Sequence, residues 1–77
     1  MHTLADLRPG TSATLSAVSG ARAHRRRLLE LGLVPGTRVH LVRRSALQGL
    51  LEVEVRGSRL SLRSAEAHQV TVEAADG

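Results

Sequence analysis

The chain has 77 residues, enough for one small domain, and carries 11 arginines, no lysine and a net charge of +4. It has no cysteine and no aromatic residue, which excludes disulfide staples, thiolate metal sites and aromatic platforms for stacking bases, and leaves an aliphatic core. No apolar run approaches the length of a membrane span and the N-terminus has no signal-type apolar stretch, so the expected compartment is the cytoplasm.

Leu4 to Gly10 reads as a lead-in that ends in a Pro9-Gly10 turn. Thr11 to Val18 alternates small apolar and hydroxyl residues, which predicts a strand with Ala13 and Leu15 on one face. Ser19-Gly20 breaks it. A helix is predicted over about Ala21 to Leu31, with Leu28 and Leu31 inward and Leu29 beside them. Arg22, Arg26 and Glu30, spaced by four, line its outer side. Gly32 suits the left-handed residue just past a helix end. Leu33-Val34 forms an apolar bridge, Pro35-Gly36 a turn, and Thr37 to Arg43 the next strand.

The next segment predicts a hairpin. Leu51, Val53 and Val55 alternate with Glu52, Glu54 and Arg56, and Gly57-Ser58 reads as its two-residue loop. That register sets Val55 against Leu60, Val53 against Leu62, Glu52 against Arg63, and Arg56 against Arg59. Ser64 to His68 reads as one helical turn with Ser64 as N-cap and Glu66 near its positive end. Gln69 to Glu73 is the last strand, with Val70 and Val72 inward, and residues 74–77 form a frayed tail. Residues 1–77 therefore read as a single, mainly β domain. It is a small, partly open barrel of about five strands, with one short α-helix after the first strand and a helical turn before the last. Stability is expected to be modest, roughly 3–5 kcal/mol for so small a core.

The stretch Arg27-Leu28-Leu29-Glu30-Leu31-Gly32-Leu33-Val34-Pro35-Gly36 resembles the signature of the FeoA family, small accessory proteins of bacterial ferrous-iron uptake. Leu60-Ser61-Leu62-Arg63, Glu66-Ala67 and Val70-Thr71-Val72 are similar to that family's closing segment. Together these cover about two thirds of the chain, and Leu4, Leu7 and Pro9-Gly10 extend the likeness in pattern. The resemblance implies an SH3-like barrel. It also implies a non-catalytic partner of a FeoB-type membrane transporter, docking on that transporter's cytosolic nucleotide-binding domain.

The residues themselves offer little chemistry. No serine sits in a strained elbow beside a base, so no catalytic residue is expected. Gly32 to Gly36 lacks the Lys-Ser/Thr of a phosphate-binding loop, and no cofactor is expected. His2, His24, His40 and His68 are scattered. His40 becomes a neighbour of Glu52 or Glu54 if their strands pair, but no converging ligand set is visible and no metal site is expected.

Two basic clusters remain. Arg25, Arg26 and Arg27 crowd the early part of the predicted helix, where positive charge opposes the macrodipole; they are candidate partner-binding residues, for an acidic protein surface or a phosphate, against the alternative of a solvated face, and Arg27 matches the basic position of the FeoA-like pattern. Arg43 and Arg44 precede a turn, Ser45 to Leu50, at the barrel rim. In FeoA-like chains this turn reads apolar-Pro-Leu-Gly-Asp-Pro. Here Ala46, Leu47 and Gly49 persist, Gln48 intervenes, and the prolines and the acid are absent. Leu47, Leu50 and Leu51 form a loose apolar set there, a docking patch if exposed, with closure of the barrel end the alternative for Leu50 and Leu51; rim docking is the expected mechanism, with Leu47 as anchor and Arg43 and Arg44 steering towards an acidic surface. The alternatives are a basic nucleic-acid-binding barrel, a detached barrel related to metal-dependent repressors, and a homo-oligomer. Nucleic acid is disfavoured by the missing aromatics, and no direct membrane insertion is expected.

Overall fold

Alternating apolar residues build most of the molecule. The computed structural model describes residues 2–73. The strands are β1 (His2–Thr3), β2 (Ser12–Val18), β3 (Arg38–Ser45), β4 (Leu50–Val55), β5 (Ser58–Arg63) and β6 (Val70–Val72). A 3-10 turn (Leu4–Asp6) follows β1, helix α1 (Arg22–Glu30) follows β2, and helix α2 (Ser64–Ala67) follows β5. The strands form one antiparallel sheet in the order β1-β6-β2-β3-β4-β5. The expected five strands are joined by a sixth, β1, so α1 follows the second strand rather than the first. Two residues are too few to show alternation; β1 exists because His2 and Thr3 find Val72 and Thr71 as partners.

Ala13 and Leu15 share the buried face of β2, and Val70 and Val72 that of β6. Leu41 of β3 and Leu51 and Val53 of β4 are fully buried against them. Leu4 and Leu7 close one part of this core, and Leu28 and Leu33 another. The expected frayed tail lies outside the described residues.

The hairpin turn differs from the expectation. Its loop is Arg56-Gly57, and the register sets Val55 against Ser58, Glu54 against Arg59, Val53 against Leu60 and Leu51 against Leu62. Arg56 and Gly57 both have positive φ, 52° and 81°, as a type I′ turn requires. The inward and outward faces are those expected, because a shift of two residues preserves them. The charges separate the two registers: the expected one opposes Arg56 and Arg59, whereas the observed one opposes Glu54 and Arg59.

Helix α1 is shorter than its apolar pattern. Leu31 is its C-cap and is exposed rather than inward. Gly32 takes φ 104°. Its N–H then donates to the Leu29 carbonyl at 3.0 Å, and the Leu33 N–H donates to the Leu28 carbonyl at 3.1 Å. This is a Schellman closure, with its apolar contact made by Leu28 and Leu33, both fully buried. Leu33 thus takes the inner place that the helical spacing assigned to Leu31.

The second helix is held by one carboxylate. Arg63, not Ser64, is the N-cap of α2. Glu66 Oε1 accepts the Arg63 N–H at 2.9 Å. Its Oε2 accepts a hydrogen bond from Arg27 Nη1, and His24 Nε2 lies 3.4 Å from the same oxygen. Glu66 is buried, whereas the Arg27 side chain is 58% exposed. Burial pushes the Glu66 carboxyl up, but the Arg63 N–H and the Arg27 guanidinium together hold it below its ordinary value.

Two stability predictions follow from these ends. A Cβ at Gly32 would meet Val55 Cγ1 at 3.8 Å, ordinary contact; Gly32→Ala therefore costs only backbone strain, about 1–2 kcal/mol, read as a lower urea midpoint. For Glu66, the lowered folded-state pKa means its contribution is present above 4.5, the ordinary glutamate value, and is lost as pH falls through the folded value. Glu66→Gln should cost about 1–3 kcal/mol at pH 7 and flatten the decline of urea stability between pH 5 and 3, which is roughly the carboxylate range. Parallel declines in the two proteins would show that the clamp carries no pH-dependent stability.

Candidate functional site

The rim of the barrel is shaped by one extra residue. Along β3 and β4 the pairing runs His40 with Glu54 and Leu41 with Val53, then jumps to Arg43 with Glu52 and Arg44 with Leu51. Val42 is the inserted residue of a β-bulge. The jump moves Arg43 to the outer face, where its Nε lies 2.9 Å from Glu52 Oε1. It moves Arg44 to the row of Leu51, at the open end of the core. There Arg44 Nη2 donates to the carbonyls of Ala5 at 3.0 Å and Leu7 at 2.7 Å. These two carbonyls belong to the lead-in, so Arg44 ties that segment to the end of β3. β3 therefore runs through Arg43 and Arg44 to Ser45, beyond the end expected for it.

The turn that follows is closed from below. Gly49 takes φ 63° and its carbonyl accepts the Ser64 N–H at 2.9 Å and Ser64 Oγ at 3.3 Å. Leu47 stands free at the tip, 101% exposed. Leu50 is half-buried and Leu51 fully buried. Between tip and strands lies a groove of about 410 Å³, lined by Arg43, Arg44, Ser45, Leu47, Gln48, Leu50, Glu52 and Ser61. Arg43, Arg44, Leu47 and Leu50 are thus brought together in one place. Glu52 and Ser61, opposed across β4 and β5, complete the lining. The sequence signal for them was the alternation of β4, which marked Glu52 as outward but left its neighbours open.

Arg25, Arg26 and Arg27 lie apart from this groove, on α1. Arg26 Nε is 3.7 Å from Glu30 Oε2, both exposed. Arg27 is joined to Glu66. Arg25 has no ion pair among the described residues. A smaller hollow of about 360 Å³ is lined by His24, Arg27, Arg63, Ala65 and Glu66.

One polar row crosses three strands. Ser12, His40 and Glu54 stand side by side across β2, β3 and β4, with Ser12 Oγ 2.8 Å from His40 Nδ1. Glu54 faces Arg59, Nε to Oε2 3.9 Å. Among the described residues no three His, Asp or Glu side chains converge as metal ligands. His40 with Glu54 and His24 with Glu66 offer two ligands each, and the Arg27 guanidinium already occupies Glu66.

The FeoA domain family matches residues 2–74. No curated protein matches. Among solved structures, the chain is similar to the FeoA protein of Chlorobium tepidum, with 37% identity, a TM-score of 0.84, and 92% of this chain and 68% of that one covered. It is also similar to the zinc-complexed FeoA of Stenotrophomonas maltophilia, described as a prokaryotic SH3 domain protein, with 38% identity, a TM-score of 0.82, and 95% and 91% covered. A manganese-dependent transcriptional repressor shares the fold alone, at 21% identity and a TM-score of 0.85, with 92% of this chain and 40% of that one covered. The expected SH3-like barrel is therefore the fold, and the zinc belongs to the S. maltophilia complex. With its six-stranded barrel, its glycine-closed helix and its Arg27-to-Gly36 stretch all accounted for, the chain belongs to the FeoA family.

Proposed function

We propose that this protein is a cytoplasmic accessory protein of ferrous-iron uptake with no chemistry of its own. It docks its rim on the cytosolic nucleotide-binding domain of a FeoB-type transporter and tunes that transporter's assembly or cycle. The family is linked to ferrous iron transport, and the S. maltophilia relative has been suggested as a ferrous iron transport activating factor. The observation that carries the docking reading is Leu47, fully exposed beside a groove of about 410 Å³. Covering an exposed leucine stabilises a complex by about 1.5–3 kcal/mol when burial is complete. The groove gives a partner side chain somewhere to go, and Leu50 offers it an apolar floor.

Charge at the rim supports the same reading. Arg44 is held by two carbonyls, which fix its position without neutralising it. Arg43 is paired with Glu52 but its side chain stays 77% exposed. Both forks are therefore presented in fixed geometry, which suits carboxylates on a partner.

The test is calorimetric titration of the protein with the cytosolic domain of the transporter at physiological salt. Leu47→Asp should weaken binding at least about tenfold, as loss of a central apolar anchor does. The fold should be unaffected, because Leu47 contributes nothing to the core. Binding of equal strength by the variant would remove rim docking. Concentration-dependent self-association lost in Leu47→Asp, with no binding to the transporter domain, would assign the rim to a second copy of this chain instead.

A further inference from the structure

The sheet ends at β5, which pairs with β4 on one side and with no described strand on the other. In a hairpin with a two-residue loop, the residues flanking the loop exchange both backbone hydrogen bonds, and the exchange recurs at every second pair. Val55 and Ser58 flank the Arg56-Gly57 loop, so Leu60 and Leu62 bond to Val53 and Leu51. Arg59, Ser61 and Arg63 fall between these pairs, and their N–H groups point away from β4. The Arg63 N–H shows that direction, since it donates to Glu66 Oε1 at 2.9 Å. The N–H and C=O groups of Arg59 and Ser61 meet no strand, turn or side chain among the described residues.

The side chains of β5 sort what could lie along this edge. Leu60 packs on the core yet is only half-buried, on the strand that nothing flanks. The opposite face carries Arg59, Ser61 and Arg63, all exposed, and the strand has no acid. Arg59 reaches Glu54 and Glu52 of β4 only at 3.9 Å, and Glu52 is already met by Arg43 at 2.9 Å.

We infer that β5 is a docking edge for an extended acidic segment of a partner protein, which adds to the sheet as a further strand. Its backbone would take the two free N–H and two free C=O groups of Arg59 and Ser61. Its acidic side chains would stand on the outer face with Arg59 and Arg63, and an apolar residue between them would cover Leu60. A second copy of this chain fits poorly, because antiparallel pairing about Ser61 sets each Arg59 opposite an Arg63. Arginines on an edge thus deter self-pairing and select the opposite charge. A nucleic acid would meet the arginines but offers no alternating N–H and C=O groups to the edge. Ser61 also lines the rim groove, so the two surfaces adjoin, but the inference does not rest on the docking reading.

The test is titration of the protein with the capped peptide Glu-Val-Glu-Val-Glu-Val, followed by amide hydrogen exchange read by NMR. Exchange should slow at Arg59 and Ser61, with little change at Leu60, whose N–H is already bonded to β4. The same peptide N-methylated at its glutamates keeps the charge but loses the donors that face β5, and should bind at least about tenfold weaker. Arg59→Gln should weaken binding about two- to fivefold. Ser61→Pro removes an outward donor that the β4 ladder does not use, and should abolish slowing at Arg59. Unchanged exchange at Arg59 and Ser61, equal binding of the N-methylated peptide, or tighter binding of a single-stranded oligonucleotide than of the peptide would overturn the inference. So would slowing at these two amides that depends on protein concentration without peptide, which would assign the edge to a second copy.

Discussion

Glu66 is the one acidic side chain buried among the described residues, in a core otherwise made of leucine, valine and alanine. A carboxylate in such a place is destabilising unless its oxygens are satisfied. Here one oxygen caps the start of α2 and the other holds Arg27 on α1. Each helix has few other anchors: α2 is four residues long and is held besides by buried Ala67 and by the bonds of Ser64 to the Gly49 carbonyl, and α1 presents only Leu28 as a fully buried side chain. Without the carboxylate, α2 would lose its cap and α1 a polar tether to the β5–α2 corner. The guanidinium keeps one side in water, so the pair avoids most of the desolvation that makes fully buried ion pairs costly.

A second constraint sets the rim. Arg43 and Arg44 are adjacent, and in a regular strand Arg43 would fall in the row of Leu51, at the core. The bulge at Val42 reverses this, sending Arg43 out to Glu52 and Arg44 over the open end of the barrel. The consequence travels further, because Arg44 then fixes the carbonyls of Ala5 and Leu7 and so the position of Leu4 and Leu7 in the core. One inserted residue therefore joins the packing of the lead-in to the shape of the groove.

These features differ in how far they can be read from sequence. The inward residues of β2, β4 and β6 and the left-handed Gly32 follow from periodicity and from the conformational freedom of glycine. The hairpin register does not, because alternation is blind to a shift of two residues; the choice falls to the turn and to Glu54 opposite Arg59. Leu31 is misjudged by helical spacing since the chain has already turned at Gly32, and Leu33 arrives in its place. The bulge leaves no mark in the apolar pattern, so the grouping of Arg43, Arg44, Leu47 and Leu50 was legible while the partners Glu52, Ala5 and Leu7 were not. Arg27 looks the same as Arg25 and Arg26 in sequence; only the fold brings Glu66 to it from 39 positions away.

That last point decides how the arginines should be divided. In a chain with no lysine, residue type cannot separate a structural cation from a free one. Surroundings can. Arg27 faces a buried carboxylate and Arg44 two lead-in carbonyls, so removing either disturbs the fold before it disturbs any contact with a partner. Arg22 and Arg25 meet no such group among the described residues, and Arg26 meets only an exposed glutamate. An effect of charge removal at these three positions is therefore an effect at the surface. The same test separates Leu47, which touches no core, from Leu51, which is wholly within it. Leu47 at the rim tip is therefore the apolar side chain whose replacement reads a contact and not the core.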